Sequence, residues 1–447
     1  MSSNIEPDRA REGRADVTTS TDRREGALAG ATAAPAPDAD QAGGRPPEPH
    51  PLLARLDSPL STYYLLVGSI SALLGIGLIM VLSASSVSSL RDNNSMFTVG
   101  LNQAKFAAIG VVGAVVVSRL PVRTWQRLGV GVIAGAIVMQ LLVFTSLGHE
   151  VLGNRNWLRF GGFSVQPSEF GKLGIILYGA HILTVKRRLL GDWRHAVIPL
   201  VPAAGLVIAL VLAGGDLGTT IVLIGILFSI LWTSGLSARL FGFAAAGGAV
   251  LVLIMARASQ NRMARITSWL SCDTNSDDAL CWQSKNGAFA LADGGLLGQG
   301  PGASREKWGW LPEQHNDFIF AIIGEELGLV GTLTILLLIG LITYACYRVI
   351  LQTDDRFVRI ATAGVMGWIV VQSVVNIGAV LGLLPVIGVP LPLVSAGGSA
   401  LITTLLGLGM VISFARSEPA CARALAGRPR VLARSLSVMS PLRKRTR

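Results

Sequence analysis

Charge is scarce in this sequence. Asp, Glu, Lys and Arg make up 15% of its 447 residues, against 51% hydrophobic residues and a mean hydropathy of +0.55. A soluble globular domain carries roughly a quarter charged residues, so that class is excluded. Also missing is the period-2 alternation of barrel strands. The repeated apolar runs of about 20 residues therefore read as helices spanning a hydrocarbon core about 30 Å thick. Residues 1–58 have almost no aromatics and lack the charged-then-apolar layout of a signal peptide, which reads as a disordered tail. Cysteine is rare, at four residues. Cys272 and Cys281 lie nine positions apart in a polar stretch with no accompanying His, which disfavours a metal site. On an outward loop they would favour a disulfide instead. No internal repeat supports an inverted-repeat transporter.

What is present is an all-α polytopic membrane pattern with ten candidate spans: 61–84, 97–118, 126–147, 168–184, 196–213, 217–233, 240–257, 318–343, 359–383 and 397–415. Arg119, Arg123 and Arg127 follow the second span; Lys186, Arg187, Arg188 and Arg194 the fourth; Arg239 the sixth; Arg348, Arg356 and Arg359 the eighth. All fall on one side, which the positive-inside rule makes cytoplasmic, and ten spans place both termini there. Residues 59–415 form the expected transmembrane domain. Residues 416–447 hold nine Lys or Arg against one Glu, a basic cytoplasmic tail suited to an anionic leaflet. No base-reading fold accompanies that charge, so nucleic acid is not an expected partner.

The other face receives the large segment between the seventh and eighth spans and several shorter loops. In one of these, Arg155, Trp157 and Arg159 precede a helix carrying Glu169 and Lys172. The arginines and the tryptophan suit interfacial anchoring or a site. Glu169 and Lys172, three apart, share a helix face, where ionisable groups are costly enough to suggest function, although a structural pair is the competing reading. Asp216, in a Gly-Gly-Asp turn, suits either an N-cap or a role facing substrate. Farther on, the glycine-rich stretch Gly298-Gln299-Gly-Pro-Gly302 stands beside Ser304, Arg305 and Lys307, a pattern that can cradle a pyrophosphate. Cations gathered outward run against the positive-inside bias, and an anionic substrate would balance them.

The stretch Trp310-Leu-Pro-Glu313-Gln-His315-Asn-Asp317-Phe-Ile-Phe-Ala-Ile-Ile-Gly-Glu325-Glu326 runs from a polar loop into an apolar helix. Asp317 at that helix head suits an N-cap or a general base toward a sugar hydroxyl. Glu325 and Glu326, inside the span, resist a bland reading. Pro385 to Ser399 breaks the helical pattern and must be buried in protein or line a polar cavity.

Taken together, the chain resembles the SEDS family (shape, elongation, division and sporulation), most closely its cell-division members. The motifs that carry the resemblance are Asn154-Arg-Asn-Trp-Leu, Gln166-Pro-Ser-Glu-Phe-Gly-Lys172, Gly215-Asp-Leu-Gly-Thr219, Gly298-Gln-Gly-Pro-Gly302, Leu311 through Gly328, and Pro390-Leu-Pro-Leu-Val-Ser395-Ala-Gly-Gly-Ser399. The resemblance implies a ten-helix peptidoglycan glycosyltransferase that polymerises lipid II, an undecaprenyl-pyrophosphate-linked disaccharide pentapeptide, at the outer face of the bacterial cytoplasmic membrane during septal wall synthesis. It places the essential carboxylate on Asp317. Substrate-binding candidates are then Arg155, Trp157, Arg159, Glu169, Lys172, Asp216, Gln299, Arg305, Lys307, Glu313, His315, Glu325, Ser395 and Ser399. A divalent cation, Mg or Mn, could share in balancing the leaving group, although no residue cluster marks a site. A class B penicillin-binding protein of the FtsI-like transpeptidase type and other divisome proteins are the implied partners. Two positions depart from the family pattern: Ala396 replaces the usual Tyr and Asn316 the usual Thr. The alternatives are a lipid II flippase, a non-catalytic divisome scaffold, or a role in elongation.

Overall fold

The computed structural model describes residues 60–426 apart from 152–153, 161–162, 190–191, 237, and 258–278 other than 263, 267, 269 and 270. The tail expected over 1–58, the tail beyond 426 and Cys272 lie outside the described residues. The structure is mostly helical. Its elements are α1 (Ser61–Asn93), α2 (Thr98–Val117), α3 (Val122–Leu142), β1 (Gly148–Val151), β2 (Asn154–Phe160), β3 (Phe163–Val165), α4 (Pro167–Val185), α5 (Trp193–Ala213), α6 (Leu217–Thr233), α7 (Ala238–Arg257), α8 (Ala279–Gly294), α9 (Ile319–Gln352), α10 (Arg356–Val380), α11 (Gly398–Ser417) and α12 (Pro419–Ala426). By length and composition α1, α2, α3, α9, α10 and α11 can cross a membrane, and two shorter apolar helices cover 197–213 and 217–233. The start of the expected C-terminal tail is helical, as α11 and α12 run to Ala426.

The helix boundaries follow local chemistry. Pro167 opens α4, where its missing N–H costs nothing. Asp192, Asp216 and Asp355 cap α5, α6 and α10 through side-chain acceptance of backbone N–H groups. The helices then close on small residues, because lipid supplies no hydrophobic drive for association and close van der Waals packing must substitute. At the α3–α4 contact a Cβ on Gly129 would lie 2.9 Å from the Leu177 carbonyl oxygen, and one on Gly174 would lie 3.0 Å from Ile133 Cα.

Two features go beyond the sequence reading. The loop before α4 folds into an antiparallel sheet of order β1-β2-β3, pairing Gly148 with Leu158 and Leu158 with Val165. Along β2, Asn156 and Leu158 turn inward while Arg155 and Arg159 stay exposed, the alternation of a half-buried strand. The long segment between α7 and α9 likewise contains a helix, α8, packed on α9.

The eighth span also differs from a single straight helix. It breaks at Gly328, whose φ of 69° and ψ of −161° are open essentially to glycine alone. The break frees backbone groups that a membrane interior would leave unpaired, and the glycine-rich segment takes them up. Gln299 N and Gly300 N donate to the carbonyls of Glu325 and Glu326 at 2.9 and 3.0 Å, while Leu329 N and Val330 N donate to those of Gly295 and Leu296 at 3.0 and 3.3 Å. The approach is so close that a Cβ on Gly298 would collide with the Glu326 carbonyl. Gly298→Ala is therefore expected to cost about 2 kcal/mol or more, since both its φ of 80° and the contact oppose a side chain. Thermal unfolding in detergent measures this. A variant melting with the parent would mean that the segment does not seal the break.

Candidate active site

Asp317 sits half-buried in the segment that joins α8 to α9. It does not cap α9, whose N-cap position is Phe318. From α8, Trp282 Nε1 and Asn286 Nδ2 donate to the Trp310 carbonyl at 2.8 and 2.6 Å. Ala396 N donates to the carbonyl of His315 at 2.9 Å, Ser395 Oγ to that of Asn316 at 2.7 Å, and Asn376 Nδ2 to that of Asp317 at 2.8 Å. Three successive carbonyls are thus held by the 395–396 turn and by α10. Between Trp310 and Asp317 the chain passes through Glu313 in a left-handed conformation, φ 53°, with Asn316 Nδ2 donating to its carboxylate at 2.5 Å.

Asp317 opens onto a cavity of about 1090 Å³. The wall is built from the ends of α2, α6, α10 and α11 that share one side, together with β2 and the 312–317 and 384–390 segments. Its polar surface is mainly amide: Asn102, Gln103, Asn154, Asn156, Gln166, Gln283 and Asn316, with Trp157 and Phe106 as aromatic faces. The acids on it are Asp216, Glu313 and Asp317, and among the described residues no Lys or Arg lines it. Asp216 is the N-cap that its turn suggested, and it also stands on the cavity wall. It caps α6 by accepting from Thr219 N at 2.8 Å, and on the cavity wall its other oxygen accepts from Gln166 Nε2 at 2.9 Å. Ser399 Oγ accepts from Gln166 N at 3.3 Å. His315 also lines the cavity, and burial lowers its pKa against the opposing pull of Glu313 and Asp92. Its Nδ1 and the Asn156 Oδ1 are buried without a hydrogen-bond partner among the described residues.

Of the candidates read from sequence, the structure brings Trp157, Asp216, Glu313, His315, Asp317 and Ser399 to this one cavity, with Ser395 bracing it from behind. The other candidates lie off its wall. Lys172 Nζ is buried, 2.6 Å from Glu169 Oε1 and 3.0 Å from Gln372 Oε1, above the ring of Trp368, and Thr403 donates to the second Glu169 oxygen. Lys307 is buried against Glu326 at 3.1 Å, and Ser83 donates to both Glu326 oxygens. Glu325 accepts from Ser304 Oγ at 2.5 Å and Arg305 N at 2.6 Å. Gln299 Nε2 donates to the Asp293 carbonyl, and Arg155 reaches the Thr145 carbonyl. Arg155, Arg159 and Arg305 are exposed. Cys281 is disulfide-bonded, and Cys346 and Cys421 are free. Among the described residues no group of three or more His, Cys, Asp or Glu is placed to hold a metal ion.

A family model for cell-cycle proteins of the FtsW, RodA and SpoVE type matches residues 64–419. The chain belongs to the FtsW/RodA/SpoVE family. The resemblance read from its motifs is borne out across nearly the whole described structure. A probable peptidoglycan glycosyltransferase FtsW of Mycobacterium tuberculosis is 40% identical over 390 residues, covering 87% of this chain and 74% of that protein. Stage V sporulation protein E of Bacillus subtilis is 34% identical over 349 residues, covering 77% of this chain and 94% of that one. A chain solved within a peptidoglycan synthase complex that coordinates polymerization and crosslinking superposes with a TM-score of 0.65 at 26% identity, covering 79% of this chain and 97% of that chain. The rod-shape-determining protein RodA of Thermus thermophilus gives 0.60 at 26% identity, with 80% and 97% covered.

Several residues around the cavity escaped the sequence reading. Asn102 and Gln103 lie within an apolar span, and the same cost argument that singled out Glu169 and Lys172 applies to them. It applies as well to Asn376, within the 359–383 span, whereas Gly388 carries no comparable signal, because its place on the wall arises from contacts with distant segments.

The buried Lys307–Glu326 pair gives a stability prediction. Lys307→Met leaves an uncompensated carboxylate and is expected to cost about 3 to 5 kcal/mol, whereas Lys307→Met combined with Glu326→Gln recovers most of that loss. Melting temperatures of the single and double variants in detergent measure it. A single variant as stable as the parent would show that the pair contributes nothing.

Proposed function

We propose that this protein is a peptidoglycan glycosyltransferase that polymerises lipid II at the outer face of the cytoplasmic membrane, with Asp317 as general base. The reading rests on family membership and, above all, on Asp317 opening into an amide-lined cavity that carries aromatic faces. Amide groups and flat rings suit a neutral polyhydroxyl ligand. Asp317 takes the proton of the acceptor GlcNAc 4-hydroxyl. The resulting oxygen attacks the MurNAc anomeric carbon of the growing strand, and the bond to undecaprenyl pyrophosphate breaks, the electron pair leaving with the diphosphate. Lys172 and Lys307 are committed to carboxylates, so the exposed Arg155, Arg159 and Arg305 are the better-placed cations for the departing charge.

On this reading the chain has ten spans with both termini cytoplasmic, acts at the division septum, and works beside a class B penicillin-binding protein. The cavity wall is assembled from helix ends on one side only, which supports chemistry at a surface over a translocation path. It likewise speaks against a purely scaffolding role.

Incubating the purified protein and its transpeptidase partner with lipid II should give glycan polymer on a gel, and Asp317→Ala should lower the yield by about 10²-fold or more. Polymer from the variant at the parental rate would sink the assignment of Asp317, while none from the parent would favour transport or scaffolding. An outward loop is an oxidising setting, and Cys272 is the partner we assign to Cys281. Thiol alkylation followed by mass spectrometry should label this pair only after reduction, and labelling of both without reductant would exclude the bridge.

A further inference from the structure

Beside the large cavity lies a second, of about 10 Å³, lined by Asp317, Val375, Asn376, Ile387, Gly388 and Val389 among others. That is about the room one water molecule occupies. Its lining is otherwise largely apolar, so the polar groups on it stand out. Asn376 is 2% exposed, and its Nδ2 donates to the carbonyls of Asp317 and Val389, both at 2.8 Å. These two bonds fix which end of the amide is nitrogen. The Oδ1 end is therefore assigned, and it is buried without a hydrogen-bond partner among the described residues. A buried amide oxygen left unpaired costs free energy comparable to a lost hydrogen bond, and such atoms are commonly satisfied by internal water. Gly388, with φ 72°, completes the wall. A Cβ there would lie 3.6 Å from Asp317 Oδ2, one of the two groups the small cavity offers to a water.

We propose that Asn376 is a positioning residue for Asp317, acting through one bound water that donates to Asn376 Oδ1 and to the Asp317 carboxylate. This rests on the reading of Asp317 as the base. The amide holds the Asp317 backbone from one end and, through the water, fixes the carboxylate from the other. The water stabilises the ionised carboxylate that accepts the hydroxyl proton. The other titratable groups of the large cavity, Asp216, Glu313 and His315, are not on the small one.

The test is the pH profile of lipid II polymerisation for the parent, Asn376→Ala and Gly388→Ala. Gly388→Ala leaves the Asn376 amide and its two acceptors in place and sets a methyl group beside Asp317 Oδ2, where it competes with the water, at the cost of a strained φ of 72°. Both variants are expected to move the acid limb upward by about one pH unit and to lower kcat about tenfold, with KM for lipid II unchanged. If Asn376→Ala loses activity while Gly388→Ala keeps the parental acid limb, Asn376 only braces the backbone and the proposal falls. Should Gly388→Ala not fold, a structure at a resolution that shows ordered water decides. Density bridging Asn376 Oδ1 and Asp317 is expected, and a protein group or continuous apolar contact there overturns the proposal. Failure of the glycosyltransferase reading is separately visible, as absence of polymer from the parent.

Discussion

His315, Asn316 and Asp317 present three successive carbonyls where the chain is not yet helical and a long apolar helix is about to begin. Backbone at such a depth must find partners in protein, because lipid offers none. Each carbonyl has a different donor: the Ala396 backbone, the Ser395 hydroxyl and the Asn376 amide. Those donors are held in turn. Asn376 and Gln372, one turn apart on α10, both donate to the irregular 389–390 stretch, and Gln372 accepts from Lys172 and Trp368. A line of contacts therefore runs from the buried Glu169–Lys172 pair, through α10 and the proline-rich loop, to the Asp317 backbone. Off the cavity, that ion pair still bears on where the carboxylate stands.

The Gly328 break obeys the same constraint in another form. A helix interrupted inside its span exposes four backbone groups, and the 295–300 segment supplies four complementary ones. The two buried carboxylates just before the break are met by groups from the same region, Ser304 and the Arg305 backbone for Glu325 and Lys307 for Glu326. Glycine is required at 298 and 328 because the two backbones all but touch. The segment's composition, which resembles a phosphate cradle, is here explained by backbone sealing backbone.

This explains which parts of the molecule were legible in its sequence. The apolar helices and the costly charges could be read because each depends on the local price of placing a group in lipid. Asp216 as a cap was legible too, since capping is a property of neighbouring residues. The three-stranded sheet at 148–165 was hidden by short strands rich in polar residues, and α8 by an outward segment whose hydropathy is mixed. Glu169 beside Lys172 was legible from its spacing, but the second partner of Lys172 and the partners of Lys307 and Asn376 lie 200, 19 and 59 residues away, at Gln372, Glu326 and Asp317. No local pattern encodes such pairings.

The distribution of charge carries a last consequence. Sequence reading gathered outward cations and inferred an anionic ligand among them, but the folded chain separates the two. Lys172 and Lys307 are already paired, and drawing either away would strand a buried carboxylate, a cost that an incoming diphosphate would have to outweigh. The cavity wall carries three acids and no described cation, so a diphosphate entering it would meet repulsion. On the proposed reading the saccharide occupies the amide-lined cavity, where neutral groups can match its hydroxyls. The diphosphate then stays at the rim among exposed arginines and water, where its charge is screened and its departure is not opposed by burial.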